Sequence, residues 1–92
     1  MAAIDPGVRA LLEMIEPAVS GRGGHAALLA VARTVVATFG LGEDDATAAL
    51  MAAYNPRCRP PWGEPEVRLK VREAVRLTAE GRARAAAEGV GP

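Results

Sequence analysis

Aromatic side chains are scarce in this sequence: Phe39, Tyr54 and Trp62 are all that 92 residues supply. A core must therefore be assembled from small and medium aliphatic groups, and the 50% hydrophobic content is indeed mostly Ala, Val and Leu. Ala and Leu favour helix, whereas sheets draw on β-branched and aromatic residues, so the shortage of rings argues for helices. The single cysteine, Cys58, excludes an internal disulfide and a multi-thiol metal site, and fits a reducing, cytoplasmic setting. No apolar run approaches the roughly 20 residues that span a bilayer, and the basic-then-apolar layout of a signal peptide is missing. A soluble protein with no membrane partner is expected. Ten of the eleven basic residues are arginine, which fits GC-rich codon usage rather than a functional signal.

What is present reads as one helical domain over residues 1–92, with a core from about 5 to 80 and a fraying tail over 82–92. Asp5-Pro6 is a helix start, because Asp accepts from orphan amides and Pro at the first position forfeits nothing. Val8, Leu11, Leu12 and Ile15 recur at helical spacing, predicting a helix over 6–16 that Pro17 stops. After a glycine-rich loop, Leu28, Leu29, Ala32, Val35, Val36 and Phe39 trace a broad stripe from His25 to a stop at Gly40. Glu43, Asp44 and Asp45 open a third helix, where negative charge suits the positive end of the dipole, and Asn55-Pro56 closes it. Residues 55–63 hold three prolines and end in Gly63, which predicts a stiff, extended, non-helical connector. A fourth helix starts at Glu64-Pro65-Glu66 and continues past Gly81. The fold class expected is all-α: a four-helix bundle with a Pro-rich connector before its last helix.

Formal net charge is zero, but it is unevenly spread. Residues 1–56 carry three arginines (Arg9, Arg22, Arg33) against six carboxylates, and residues 57–76 carry six basic groups against Glu64, Glu66 and Glu73. A chain polarised in this way can present a basic face without a basic sum. Arg68, Arg72 and Arg76 are spaced i, i+4, i+8, so they share one face of the fourth helix, with Lys70 on another. Such a stripe is either a solvated surface or, with Arg57 and Arg59 just before it, a phosphate-binding one. Pro60-Pro61-Trp62 holds a ring on a rigid segment beside those two arginines, an arrangement able to grip a single strand. Against this, Trp62 is the largest side chain of a protein short of core volume, which favours packing it into the bundle. Arg22, Gly23, Gly24 and His25 precede a helix N-terminus and so could receive phosphate, or could simply make a tight turn. They do not form a P-loop, since the required Lys-Ser/Thr is missing. Asp44-Asp45 is explained as helix-start charge rather than a metal pair, and His25 with Cys58 makes no defensible nucleophile constellation.

The order of these pieces resembles a known family. Ser20-Gly21-x-Gly23-Gly24-His25, then Phe39-Gly40-Leu41, then Tyr54-Asn55-x-Arg57-Cys58-x-Pro60-Pro61-Trp62, and finally Glu66-Val67-Arg68-x-Lys70-Val71 is similar to the small helical domain that accompanies bifunctional primase-polymerases and phage or plasmid primase-helicases. The likeness covers about residues 8–76; Arg22, Ala26, Gly63 and Leu69 depart from its pattern. It implies that Gly23, Gly24 and His25, the Asn55–Trp62 run, and Arg68 with Lys70 form one surface. The expected function is a non-catalytic accessory module in DNA replication. Its partners would be single-stranded DNA or primer-template and a primase or helicase module, with no cofactor beyond ATP or another nucleotide as ligand. The site residues are then Arg22, Gly23, Gly24, His25, Asn55, Arg57, Arg59, Trp62, Arg68, Lys70 and Arg72. No catalytic centre is expected, because metal-binding carboxylate clusters and a phosphate-binding loop are both missing. The alternative is a docking domain that binds protein and no nucleic acid.

Overall fold

Asp5 starts the first helix as its type requires: the carboxylate accepts the amides of Gly7 at 2.8 Å and Val8 at 3.4 Å, and Pro6 follows at the first helical position. The computed structural model describes residues 4–19, 21 and 23–87, and in it α1 spans Pro6–Met14, α2 Gly24–Phe39, α3 Glu43–Ala53 and α4 Glu64–Ala87. Together they make a four-helix bundle, with no strand among the described residues. α1 stops two residues short of the expected position 16. Ile15 is already extended (φ −89°, ψ 136°) on the approach to Pro17, which disfavours helical backbone before it.

Gly23 (φ 69°, ψ 34°) and Gly40 (φ 67°, ψ 28°) bracket α2 in the left-handed region, which glycine enters without a Cβ penalty. The Gly40 amide donates to the Val36 carbonyl, closing the helix. In α3 the buried Thr47 hydroxyl donates back to the Glu43 carbonyl at 2.7 Å. The segment after α3 corrects the expectation of a wholly extended connector over 55–63. It opens with one 3-10 turn, Asn55–Arg57, in which Pro56 occupies the first turn and gives up no needed donor, and the Cys58 amide closes onto the Asn55 carbonyl at 3.0 Å. Cys58, just beyond it, is extended (φ −70°, ψ 152°), and a cis peptide joins Arg59 and Pro60.

α4 begins with a reciprocal cap. The Glu66 carboxylate accepts the Gly63 amide at 2.9 Å, and the Gly63 carbonyl accepts the amides of Glu66 and Val67. Its 24 residues run about 36 Å at 1.5 Å per residue and set the long dimension of a molecule measuring 43 × 31 × 23 Å. Residues 82–87, expected within a fraying tail, continue α4 as helix with every side chain exposed; 88–92 lie outside the described residues. No helix among the described residues is long and apolar enough to cross a membrane.

The core follows from the poverty in rings. α2 contributes Leu28, Val31, Ala32, Val35 and Val36, and α4 contributes Val67, Val71 and Ala74, all small enough to let helices approach closely. α1 adds Val8 and Leu12, and α3 adds Ala46, Ala49, Leu50 and Ala53. Tyr54 is the one aromatic residue fully buried among them, and its hydroxyl makes no hydrogen bond among the described residues. Burial first, and the neighbouring Cys58 thiol second, push the phenol up to about 12 from its ordinary 10.

The sign of the consequence follows from proton counts. Between pH 10 and 12 the unfolded chain has lost the Tyr54 proton while the folded one keeps it, so stability, intact below pH 10, falls as pH rises through that window. Tyr54→Phe, which deletes an unpartnered hydroxyl, should leave stability at neutral pH within about 1 kcal/mol of the parent. It should also flatten the alkaline limb, as measured by urea unfolding at pH 8 to 12.

Candidate functional site

The sequence stretches around the glycine loop and the Pro-rich connector meet in space. Asn55, at the foot of α3 and buried, uses both ends of its amide on one residue: Oδ1 accepts the Trp62 amide and Nδ2 donates to the Trp62 carbonyl, each at 2.7 Å. That clamp closes the connector into a loop and aims the indole at the start of α2. There Gly24 makes room, since a Cβ at this position would lie 3.2 Å from the ring. The exposed His25 ring tilts at 60° against Trp62 with centroids 4.8 Å apart, within the range of favourable aromatic pairs. A second tie holds the loop from the other side: the Arg59 amide donates to the Ala18 carbonyl at 3.0 Å, pairing the connector with the segment after α1.

Between these walls lies a cleft of about 290 Å³, edged by Gly21, Gly24, His25, Arg59, Trp62 and Glu66, with Pro60 and Pro61 along the loop side. Trp62 neither packs fully inside nor stands free. It is half-buried, and its indole N–H is enclosed without a partner among the described residues. Gly24 and His25, in the first turn of α2, line the cleft, and Gly23 at the N-cap has no side chain to cap that turn, which carries the positive end of the helix dipole. Arg59 is exposed at the rim.

The other expected site residues go elsewhere. Arg57 turns inward: Nη2 donates to the Leu12 carbonyl at 2.6 Å, capping the end of α1, and the guanidinium lies 5.9 Å from the Tyr54 ring centroid. Arg68 and Arg72 do share a face of α4, but that face meets α3. Arg68 reaches Glu43 at 3.1 Å and Asp44 at 2.7 Å, while Arg72 grips both Glu43 oxygens at 3.1 and 3.3 Å. The Arg72 hydrogen bond, then that of Arg68, holds the Glu43 carboxyl below its usual range, and both guanidinium groups are held further toward the charged form. Arg76 pairs with Glu80 along α4. Lys70 is half-buried and makes no ion pair among the described residues. Arg22 lies outside the described residues. The guanidinium groups of the connector and α4 therefore do not form one free patch.

Two residues that the sequence reading passed over shape this region. Glu66 lines the cleft while capping Gly63, a role foreshadowed by a carboxylate three residues after a helix start. Glu43 is the hub of the α3–α4 ion pairs. Nothing local announces that, because its partners lie 25 and 29 residues away. Cys58 is buried with its thiol directed at the Tyr54 carbonyl, and His25 is exposed against Trp62; no hydrogen bond joins the two. Compared with protein-family models, curated proteins and solved structures, the chain matches none.

Removing the clamp tests its importance. Asn55→Ala should cost about 1–3 kcal/mol, because two buried backbone groups of Trp62 lose their partners, and should shift tryptophan emission to the red as the ring gains solvent. Denaturant titration followed by fluorescence reads both effects at once. Glu43→Gln addresses the ion-pair hub. The contribution of Glu43 is present above the ordinary carboxylate pKa and lost as pH falls through its lowered folded value, so this variant should show a shallower fall in thermal midpoint below pH 5 than the parent.

Proposed function

We propose that this chain is a non-catalytic binding module that receives a phosphate-bearing ligand, single-stranded nucleic acid or a nucleotide, in the cleft between the start of α2 and the Pro-rich loop. The observation that carries the reading is the convergence of Gly24 and His25 with Arg59 and Trp62, residues 34 and more positions apart in the chain, on one open space. Each contributes what such a ligand needs. The uncapped first turn of α2 offers amide donors to phosphate oxygens. The tilted His25–Trp62 pair offers a face for a base, and Arg59 offers the positive charge. Service to a primase or primase-helicase in DNA replication rests on the sequence resemblance alone.

The mechanism differs from a basic track. With Arg57, Arg68 and Arg72 held by Leu12, Glu43 and Asp44, the cleft makes one or two phosphate contacts. Affinity is then governed by stacking, and its salt dependence is shallow, about 0.7 in logarithmic slope per phosphate for a single strand.

Trp62 is the only tryptophan, so it reports directly. Titration with an oligo-dT strand and separately with ATP, at low and moderate salt, should quench its emission. Arg59→Ala should weaken binding about tenfold, equivalent to about 1.4 kcal/mol. Arg68→Ala should leave it unchanged. Absence of quenching by both ligands at low salt, or equal loss in the two variants, refutes the proposal.

A further inference from the structure

A second concave surface lies on a different part of the molecule, where the start of α1 meets α3 and the loop between α2 and α3. Ile4, Val8, Leu41 and Ala49 give it an apolar floor, Asp5 and Asp45 stand on its rim, and its volume is about 300 Å³. No cation lines this groove, and neither aspartate makes an ion pair among the described residues. Asp5 satisfies backbone amides of α1 with one oxygen, and Asp45 accepts no hydrogen bond from a described side chain. The result is an apolar trough whose two rim carboxylates pair with no cation among the described residues.

The chain also carries a segment of matching chemistry. The last two turns of α4, Glu80–Ala87, are exposed at every residue. They present the bare backbone of Gly81 and the methyl groups of Ala83, Ala85, Ala86 and Ala87 with Arg82 and Arg84, neither of which makes an ion pair among the described residues. An alanine-rich helix can approach a shallow floor closely, and guanidinium groups match carboxylates in geometry as well as sign. As part of a continuous helix the segment cannot fold back on its own chain. A second molecule can receive it.

We propose that the exposed end of α4 of one molecule docks in the groove between α1 and α3 of another, Ala83 to Ala87 covering the apolar floor while Arg82 and Arg84 meet Asp5 and Asp45. A two-fold pair would use both grooves and both helix ends, making each contact twice. This association is independent of what the cleft at Trp62 binds.

Sedimentation equilibrium across a wide concentration range, at low salt, tests it. The expected mass rises from the 9.5 kDa monomer toward twice that value, and the rise weakens with added salt. Among the described residues, ending the chain at Gly81 removes only exposed side chains, so the melting curve should persist while self-association is lost. Asp45→Arg should weaken association at least tenfold. Pairing it in turn with Arg82→Asp and with Arg84→Asp should restore association in one of the two double variants, where the charges of one ion pair are exchanged and the Asp5 pair is kept. A monomer at every concentration overturns the proposal, as does a dimer indifferent to the truncation. Loss on truncation without loss in Asp45→Arg also overturns it, since the helix end would then dock on some other surface.

Discussion

Everything near the cleft is hung on the amide of Asn55. A primary amide buried in an alkyl core must satisfy both its donor and its acceptor, and here one residue, Trp62, supplies both partners through its backbone. Since Asn55 follows directly from α3, the far end of the connector is fixed to the foot of that helix. Trp62 then has one direction in which to project its ring, across the first turn of α2, and Gly24 leaves the space it needs. The next residue, Gly63, caps the start of α4. A single side chain thereby sets the path of the connector, the wall of the cleft and the entry point of the longest helix.

The rest of the bundle adapts to that entry. α4 crosses a surface made of α2 and α3, and with Val67, Val71 and Ala74 facing inward it can lie close without large side chains to interlock. Tyr54 fills volume that smaller residues cannot, at the expense of an unpartnered hydroxyl. Burying it is favourable overall because the ring removes much more apolar surface from water than the hydroxyl loses in hydration. Arg57 plays a comparable part at the end of α1, where it adds a charged donor to the Leu12 carbonyl beside the Ile15 amide.

Helix starts were legible in the sequence because their determinants are local. Asp5-Pro6, the Gly23 and Gly40 brackets and the acidic opening of α3 each act within one turn of the residues that signal them. Features set by distant residues were not legible. The i, i+4, i+8 spacing of Arg68, Arg72 and Arg76 correctly places them on one face of α4, yet spacing is silent on what that face meets, and Glu43 consumes two of the three. The connector was read as extended because its prolines forbid a long helix. They do not forbid one short turn, and Pro56 fits its opening position. Trp62 fell between the two readings open to it, packed on one side and exposed to the cleft on the other.

Counting charges therefore misleads in this chain, and tracing their partners is more informative. Arg57 is used to end a helix, and Arg68 and Arg72 bind two helices together. None of the three is available to a ligand without losing a structural bond. A ligand phosphate competing for Arg68 would have to displace two carboxylates already in contact, whereas one approaching Arg59 displaces only water. Among the described residues the arginines with outward freedom are few and separated: Arg59 at the cleft, and Arg33, Arg82 and Arg84 where α2 faces the far reach of α4. Their separation divides the surface into two places of different character, one combining a cation with stacked rings and the other combining cations with bare methyl groups. The first suits a planar, phosphorylated ligand, and the second suits an acidic, apolar protein surface, because the groups around each guanidinium, more than the charge itself, determine what can lie against it.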